Sequence, residues 1–332
     1  MTGGEQPLQT MPTSTVLGME FTYAAATATT PASLRIDMEA YGKQLLADNG
    51  MLDCNPTLTP LPPGFNLSKF PRPDTPSAKR AVVAAVAKMF PRRAPANYDE
   101  ACTLYRSIAM GINWFATMVA PGMKAATSII GRAMINPPIE AFQAVKQMLR
   151  FIRQEMTLGL TYYKSDKFEG NVFPQLSYYS DASFGDDHQS GKTQGGFCAN
   201  FDGQAVSTFV SRQSSVVCVS TFHAETHFCS QAAKDIMYKR ALFKELGFHL
   251  TGPTPLYVDN AAVILDAGSD IRKFSQQSKH FTIAERLVHQ CVDDGSIVLI
   301  KANGKFHKAD ALTKPLPREP FQRYNNELHA MR

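Results

Sequence analysis

Residues 221–247 read "TFHAETHFCSQAAKDIMYKRALFKELG", and the face of this stretch that is buried decides what the surrounding domain can be. No proline interrupts it and Gly247 supplies a stop, so the pattern predicts one long helix. On a wheel of about 100° per residue, Glu225 shares a face with Phe228, Cys229, Ala232, Ile236 and Phe243. His223 and His227 fall on the far side, beside Ser230, Lys234 and Tyr238. The apolar stripe is expected to face a sheet, which turns the glutamate inward and the histidines to water. A zinc-peptidase helix needs its glutamate directly after the first histidine. Here it comes one place late and on the wrong side, so a zinc site at the histidines is the weaker reading.

A carboxylate on a buried face is costly unless positive charge meets it. No lysine or arginine is placed by the sequence to do so, and a bound hard cation with further oxygen ligands is the natural alternative. Other carboxylates sit in suitable places. Asp181 ends the strand-like run "QLSYYSD", Asp259 ends "TPLYVD", and Asp310 lies in "FHKADALTK" at the expected start of a helix. Ligands in open α/β sheets gather outside strand ends. Each residue alone has an ordinary role open to it: a turn aspartate, a helix cap, a first-turn charge. Together with an inward Glu225 they make an all-oxygen set suited to two magnesium ions, the arrangement that hydrolyses phosphodiesters.

The rest of the 332-residue chain sets the context. An apolar content of 44% is enough for one good core and favours two. The net charge of +5 is spread along the chain, compatible with a polyanionic partner without requiring one. Six scattered cysteines with no Cys-x-x-Cys pair read as buried free thiols of a reducing compartment. No uninterrupted apolar run of membrane-spanning length and no signal-peptide pattern is present, so an intracellular protein of cytoplasm or nucleus is expected, with no membrane partner.

Along the chain, "VLGMEFTYA" (16–24) has strand character and "DMEAYGKQLLADNGM" (37–51) reads as a short helix. Seven prolines between 56 and 76 predict an extended linker, followed by a basic helix ended by Pro91. From Asn97 to Tyr163 the pattern is helical, in three apolar-striped segments. Beyond Lys164 short strand-like runs, then alternating helices and strands, predict an α/β domain with a mixed sheet.

The motifs resemble those of a known family. "YYSDASFGDD" with "SGKTQGGF", then "VSTFHAETHFCSQAAKDI", "PLYVDNAAV", "QQSKHF", "VDDGSIVLI" and "HKADALTKPLPREPF" stand in the order found in the ribonuclease H domain of copia-type retrotransposon Pol polyproteins. Upstream, "LGMEF", "MEAYGKQLLADNGMLDCNPTLTPLPPG" and "LRFIRQEMTLGLTY" are similar to the stretch joining polymerase to ribonuclease H in those polyproteins. The resemblance implies a ribonuclease H-like mixed five-stranded sheet flanked by helices over 172–318, preceded by a mostly helical connection region over 97–168. Residues 1–55 would be a remnant of the polymerase palm or thumb edge, 56–96 a proline-rich and basic linker, and 319–332 a tail. No Tyr-x-Asp-Asp strand is present, so no polymerase activity is expected.

By the family pattern Asp181, Glu225, Asp259 and Asp310 are the catalytic, metal-binding carboxylates for two Mg2+ ions, with Mn2+ able to substitute. The implied substrate is the RNA strand of an RNA–DNA hybrid, and the polymerase part of the same polyprotein is an implied partner. Asn260, Lys279 and His280 are candidates for substrate contact, and His307 is a candidate mobile group for product release. The family usually reads Ser-Thr-Glu-Ala-Glu-Tyr where this chain has "TFHAET". Such departures leave a second reading open: a catalytically decayed or host-adopted nucleic-acid-binding remnant of the same fold.

Overall fold

The structure is a computed structural model that describes residues 14–165, 175–201, 204–268, 279–303 and 307–330; for residues 279–282 and 285 it describes the backbone alone. The expected boundaries at 168 and 172, and the start of "QQSKHF", lie outside the described residues.

The β-prone runs after residue 175 pair as a meander of β5 (Leu176–Ser183), β6 (Gln194–Phe201) and β7 (Val206–Gln213). β8 (Thr254–Val258) then joins β5 in parallel, and β9 (Ile297–Lys301) joins β8 in parallel. The order is β7-β6-β5-β8-β9, a mixed five-stranded sheet with flanking helices, as expected. The register carries the functional consequence. Tyr179 pairs with Tyr257 across the parallel β5–β8 pair, so Asp181 and Asp259, each two residues on, reach the same end of adjacent strands. The two tyrosine rings stack at 4.7 Å below them.

The long helix α6 (Thr221–Glu245) starts where the Ser220 hydroxyl accepts a hydrogen bond from the His223 N–H, satisfying one orphan donor of the first turn. Its Cys229, Ala232 and Ile236 pack on Tyr178, Phe197 and Leu256 of the sheet. The Gly195-Gly196 pair of β6 permits close approach on both faces. A Cβ at Gly195 would lie 2.2 Å from the Phe228 ring of α6, and one at Gly196 would lie 2.8 Å from Leu312. α7 (Ala261–Ala267) and α8 (Lys279–Asp293) complete that layer.

The preceding part is helical around a second core, with α1 (Glu39–Asp48), α2 (Pro76–Met89), α3 (Tyr98–Met118), α4 (Lys124–Gly131) and α5 (Ile139–Glu155). Local sequence explains their starts. Thr75 caps α2 with Pro76 at its first position, and Asn97 caps α3 while Glu100 reaches back to the Ala96 N–H. One helical expectation fails. Residues 159–163 form β4 (Gly159–Tyr163), which pairs antiparallel with β3 (Ser33–Asp37) across more than a hundred residues of chain. β1 (Ser14–Val16) and β2 (Met19–Ala24) extend that sheet through a hairpin turn with positive φ at Leu17 and Gly18.

The proline-rich stretch is packed, not free. Leu61 and Leu67 are fully buried, and the Gly64 N–H donates to the Pro315 carbonyl. Residues of the supposed tail form α9 (Arg318–His329), whose Phe321, Tyr324 and Leu328 enter the helical core. The Phe151 and Phe321 rings meet edge-on at 5.4 Å, and the Asn325 side chain donates to Glu155 at 2.8 Å. Each such aromatic or leucine contributes about 2 kcal/mol on burial, so α9 binds the helical part to the sheet part. All six cysteines are free, five of them buried.

Candidate metal centre

Asp181, Glu225 and Asp259 come from β5, the second turn of α6 and the end of β8, and one carboxylate oxygen of each lies within 4.8 Å of the others. Asp181 is 5% exposed and Glu225 7%. Three negative charges about 4 Å apart repel by roughly 4 kcal/mol per pair at an effective dielectric of 20. That exceeds what a few hydrogen bonds return, so protons or a cation must neutralise the group.

The surroundings report that pressure. Burial, then Asp181 and Asp259, push the Glu225 carboxyl up to about 9, against a hydrogen bond from the Ala182 backbone. Its Oε2 is buried without a hydrogen-bond partner among the described residues. Burial likewise raises Asp181, opposed by the Thr313 hydroxyl, which donates to its Oδ2 at 2.7 Å. An acidic, all-oxygen donor set with an orphaned buried oxygen fits a hard divalent cation.

Asp310 stands beside this triad but outside its tight grouping. It sits in a 3-10 turn, Lys308–Leu312, instead of opening an α-helix. The Lys314 ammonium lies 3.5 Å from its Oδ1, and the Tyr324 hydroxyl donates to its Oδ2 at 3.3 Å. Burial opposes the Lys314 charge, but Asp310, then Asp181, outweigh it and hold the ammonium above the usual lysine range. Thr313, Lys314 and Tyr324 escaped the sequence reading. The Thr-Lys that follows Asp310 in "ADALTK" was the available signal for the first two, whereas Tyr324 comes from the segment read as a tail.

The secondary candidates divide. Asn260 caps α7 through the Ala262 N–H at 2.9 Å, the ordinary role. Lys279 and His280 open α8, and their side chains lie outside the described residues. His307, expected to be mobile, is 1% exposed and bonded through Nε2 to the Ser180 carbonyl at 2.8 Å. It braces the strand residue before Asp181. The histidines of α6 also need correction. His223 is buried, not solvent-facing, and burial lowers its affinity for a proton. His223 and His227 line a cleft of about 200 Å³ between α6 and α8. Among the described residues they join no metal-capable cluster.

No family model matches the chain. Over 311 residues it is 25% identical to the retrovirus-related Pol polyprotein from transposon TNT 1-94 of Nicotiana tabacum, covering 94% of this chain and 21% of that protein. It is also 25% identical over 302 residues to the retrovirus-related Pol polyprotein from transposon RE1 of Arabidopsis thaliana, covering 91% of this chain and 18% of that one. The chain thus spans about a fifth of the length of these relatives. Among solved structures, LC11-RNase H1, isolated from compost by a metagenomic approach, aligns with 42% of this chain and 92% of its own, at 11% identity and a TM-score of 0.32. The chain is a relative of transposon Pol polyproteins, as its motifs indicated.

Proposed function

We propose that the centre is a metal-dependent nuclease of the ribonuclease H type, hydrolysing the RNA strand of RNA–DNA hybrids during retrotransposon reverse transcription. The observation that carries this reading is the convergence of Asp181, Glu225 and Asp259 within 4.8 Å at one end of the sheet. The kinship to transposon Pol polyproteins supports the choice of substrate.

In this reading Asp181, Glu225 and Asp259 hold divalent metal, magnesium by preference, and Asp310 supplies the fourth carboxylate. Bound metal would polarise the scissile phosphate and make a coordinated water nucleophilic near neutral pH. The protein's own residues set the geometry. Thr313 fixes one oxygen of Asp181, the Ala182 N–H orients Glu225, and Lys301 fastens the Asp259 carbonyl. Tyr324 and Lys314 engage the two oxygens of Asp310. Outer contacts of this kind are worth roughly 10- to 100-fold in metal affinity. Contacts to backbone and 2′-hydroxyl would select RNA without reading its sequence.

The test is a labelled hybrid incubated with and without Mg2+, comparing wild type with Asp181→Asn. Shortened RNA is expected only from wild type with metal. Equal product, or none, from both proteins would end the proposal.

A further inference from the structure

Away from the acidic centre, a cleft of about 590 Å³ opens between the C-terminal end of α2 and one face of α5. Lys88 and Arg92 stand at its rim, Lys146 and Arg150 line its wall, and Asn49 and Asn55 add polar groups. Among the described residues no carboxylate lines it and none of the four cations has an ion pair. Gathering like charges within a Debye length of about 8 Å is unfavourable, and a cleft of one sign focuses its potential on an anion.

The cations are also preorganised. Lys146 and Arg150 are four residues apart and share a face of α5. The Lys146 ammonium donates to the Met89 carbonyl at the end of α2 at 3.1 Å, which pins its stem. Among the described residues the Arg150 side chain donates only through Nε, to the Asn55 carbonyl at 2.7 Å, which leaves both terminal nitrogens for a planar, two-pronged acceptor. Pro91 ends α2 and turns Arg92 back over the opening, where its methylenes lie against Gly50.

We propose that this cleft binds backbone phosphates of the same nucleic-acid duplex that the acidic centre engages. The choice of a duplex over a small anion rests on the proposed function and on the chain path. Asn55 at the cleft and Gly64, bonded to Pro315 beside the acidic centre, are joined by a packed segment that bends at 58–61 and turns at 63–64. Nine residues span at most about 30 Å, which is the length of roughly nine nucleotide steps along one strand. A duplex of that length would then offer phosphates to both places, neutralised by metal at one and by side chains at the other.

Binding, not cleavage, tests this. A short fluorescent RNA–DNA hybrid is titrated with the full chain in EDTA across about 50–200 mM salt. Wild type is compared with Lys88→Ala/Arg92→Ala and with the charge-matched control Lys164→Ala/Lys244→Ala, all first checked for unchanged melting. The cleft variant is expected to bind more weakly and to flatten the log K against log salt slope by about two, since each neutralised phosphate contributes about 0.9. The control should keep most of the slope. Equal slopes for all three proteins would overturn the proposal. So would a cleft variant that binds the hybrid as wild type does but loses the rise in melting temperature that added pyrophosphate gives wild type, which would make the site one for small anions. Because metal is absent throughout, failure of the nuclease reading leaves this outcome readable on its own.

Discussion

Asp181, Glu225 and Asp259 crowd three acidic groups within 4.8 Å, whereas Lys88, Arg92, Lys146 and Arg150 place four basic groups around an open cleft. Both regions gather charge of one sign, but they differ in burial. Two of the acids are nearly sealed from water and fixed by strand ends and a helix, while Lys88 and Arg92 are exposed. A buried like-charge group needs a discrete neutralising ion or proton at a defined point. An exposed one is screened by salt and needs only a diffuse partner such as a polyanion. The acidic centre should therefore respond sharply to metal, pH and single atoms, and the basic cleft weakly and additively.

The largest effect expected on that contrast is at Asp181. Replacing it with Asn should lower magnesium-dependent hydrolysis by roughly 10³-fold, about 4 kcal/mol of barrier, in single-turnover cleavage of the hybrid. Gly195→Ala comes next, because its Cβ would fall 2.2 Å from the Phe228 ring one turn from Glu225. Overpacking should cost about 1–3 kcal/mol in denaturant unfolding, and metal affinity should fall with it. A change below half that cost would show that α6 is free to retreat from the sheet.

Thr313→Val removes the hydroxyl on Asp181 at nearly constant volume. It should weaken metal binding about tenfold in calorimetric titration while leaving the fold intact. The smallest effect belongs to the other region. Lys88→Ala/Arg92→Ala should change stability by no more than about 0.5 kcal/mol, and a loss well above that would make these side chains structural.

The acidic centre also carries a pH signature. Glu225 binds its proton more tightly in the folded protein than in the unfolded chain, so its contribution is fully present below the ordinary glutamate range. It is lost as pH rises through about 9. Metal-free protein should thus melt progressively lower as pH rises across that window, and Glu225→Gln should flatten the profile. An unchanged slope in the variant would assign the pH dependence to other groups.

Part of this was legible from the residues alone. Short strand-like runs between turn residues marked β5 to β7, and the helical wheel of α6 put Glu225 inside, because both patterns are local. The same wheel misplaced His223. It assumes one buried face, whereas the first turn of α6 is covered from a second side, where Val216 and Leu287 of α8 line the cleft that His223 faces. β4 was read as helix because its partner β3 is remote in sequence, and nothing within "GLTYY" reveals that pairing. Proline content made 56–76 look like a tether, although Leu61 and Leu67 anchor it to the core. Asp310 was grouped with the other acids from its place at an expected helix start and from family likeness, whereas it lies in a 3-10 turn and outside the close triad.

The most direct test is thermal melting of wild type and Glu225→Gln during titration with MgCl2. A cation that binds only the folded form adds about 2.7 kcal/mol of stability at a hundredfold excess over its dissociation constant. Wild type should therefore melt at least a few degrees higher in millimolar Mg2+, and the variant should show little of that gain. Equal shifts in both proteins, or none in wild type, would mean that the three carboxylates do not hold a metal together.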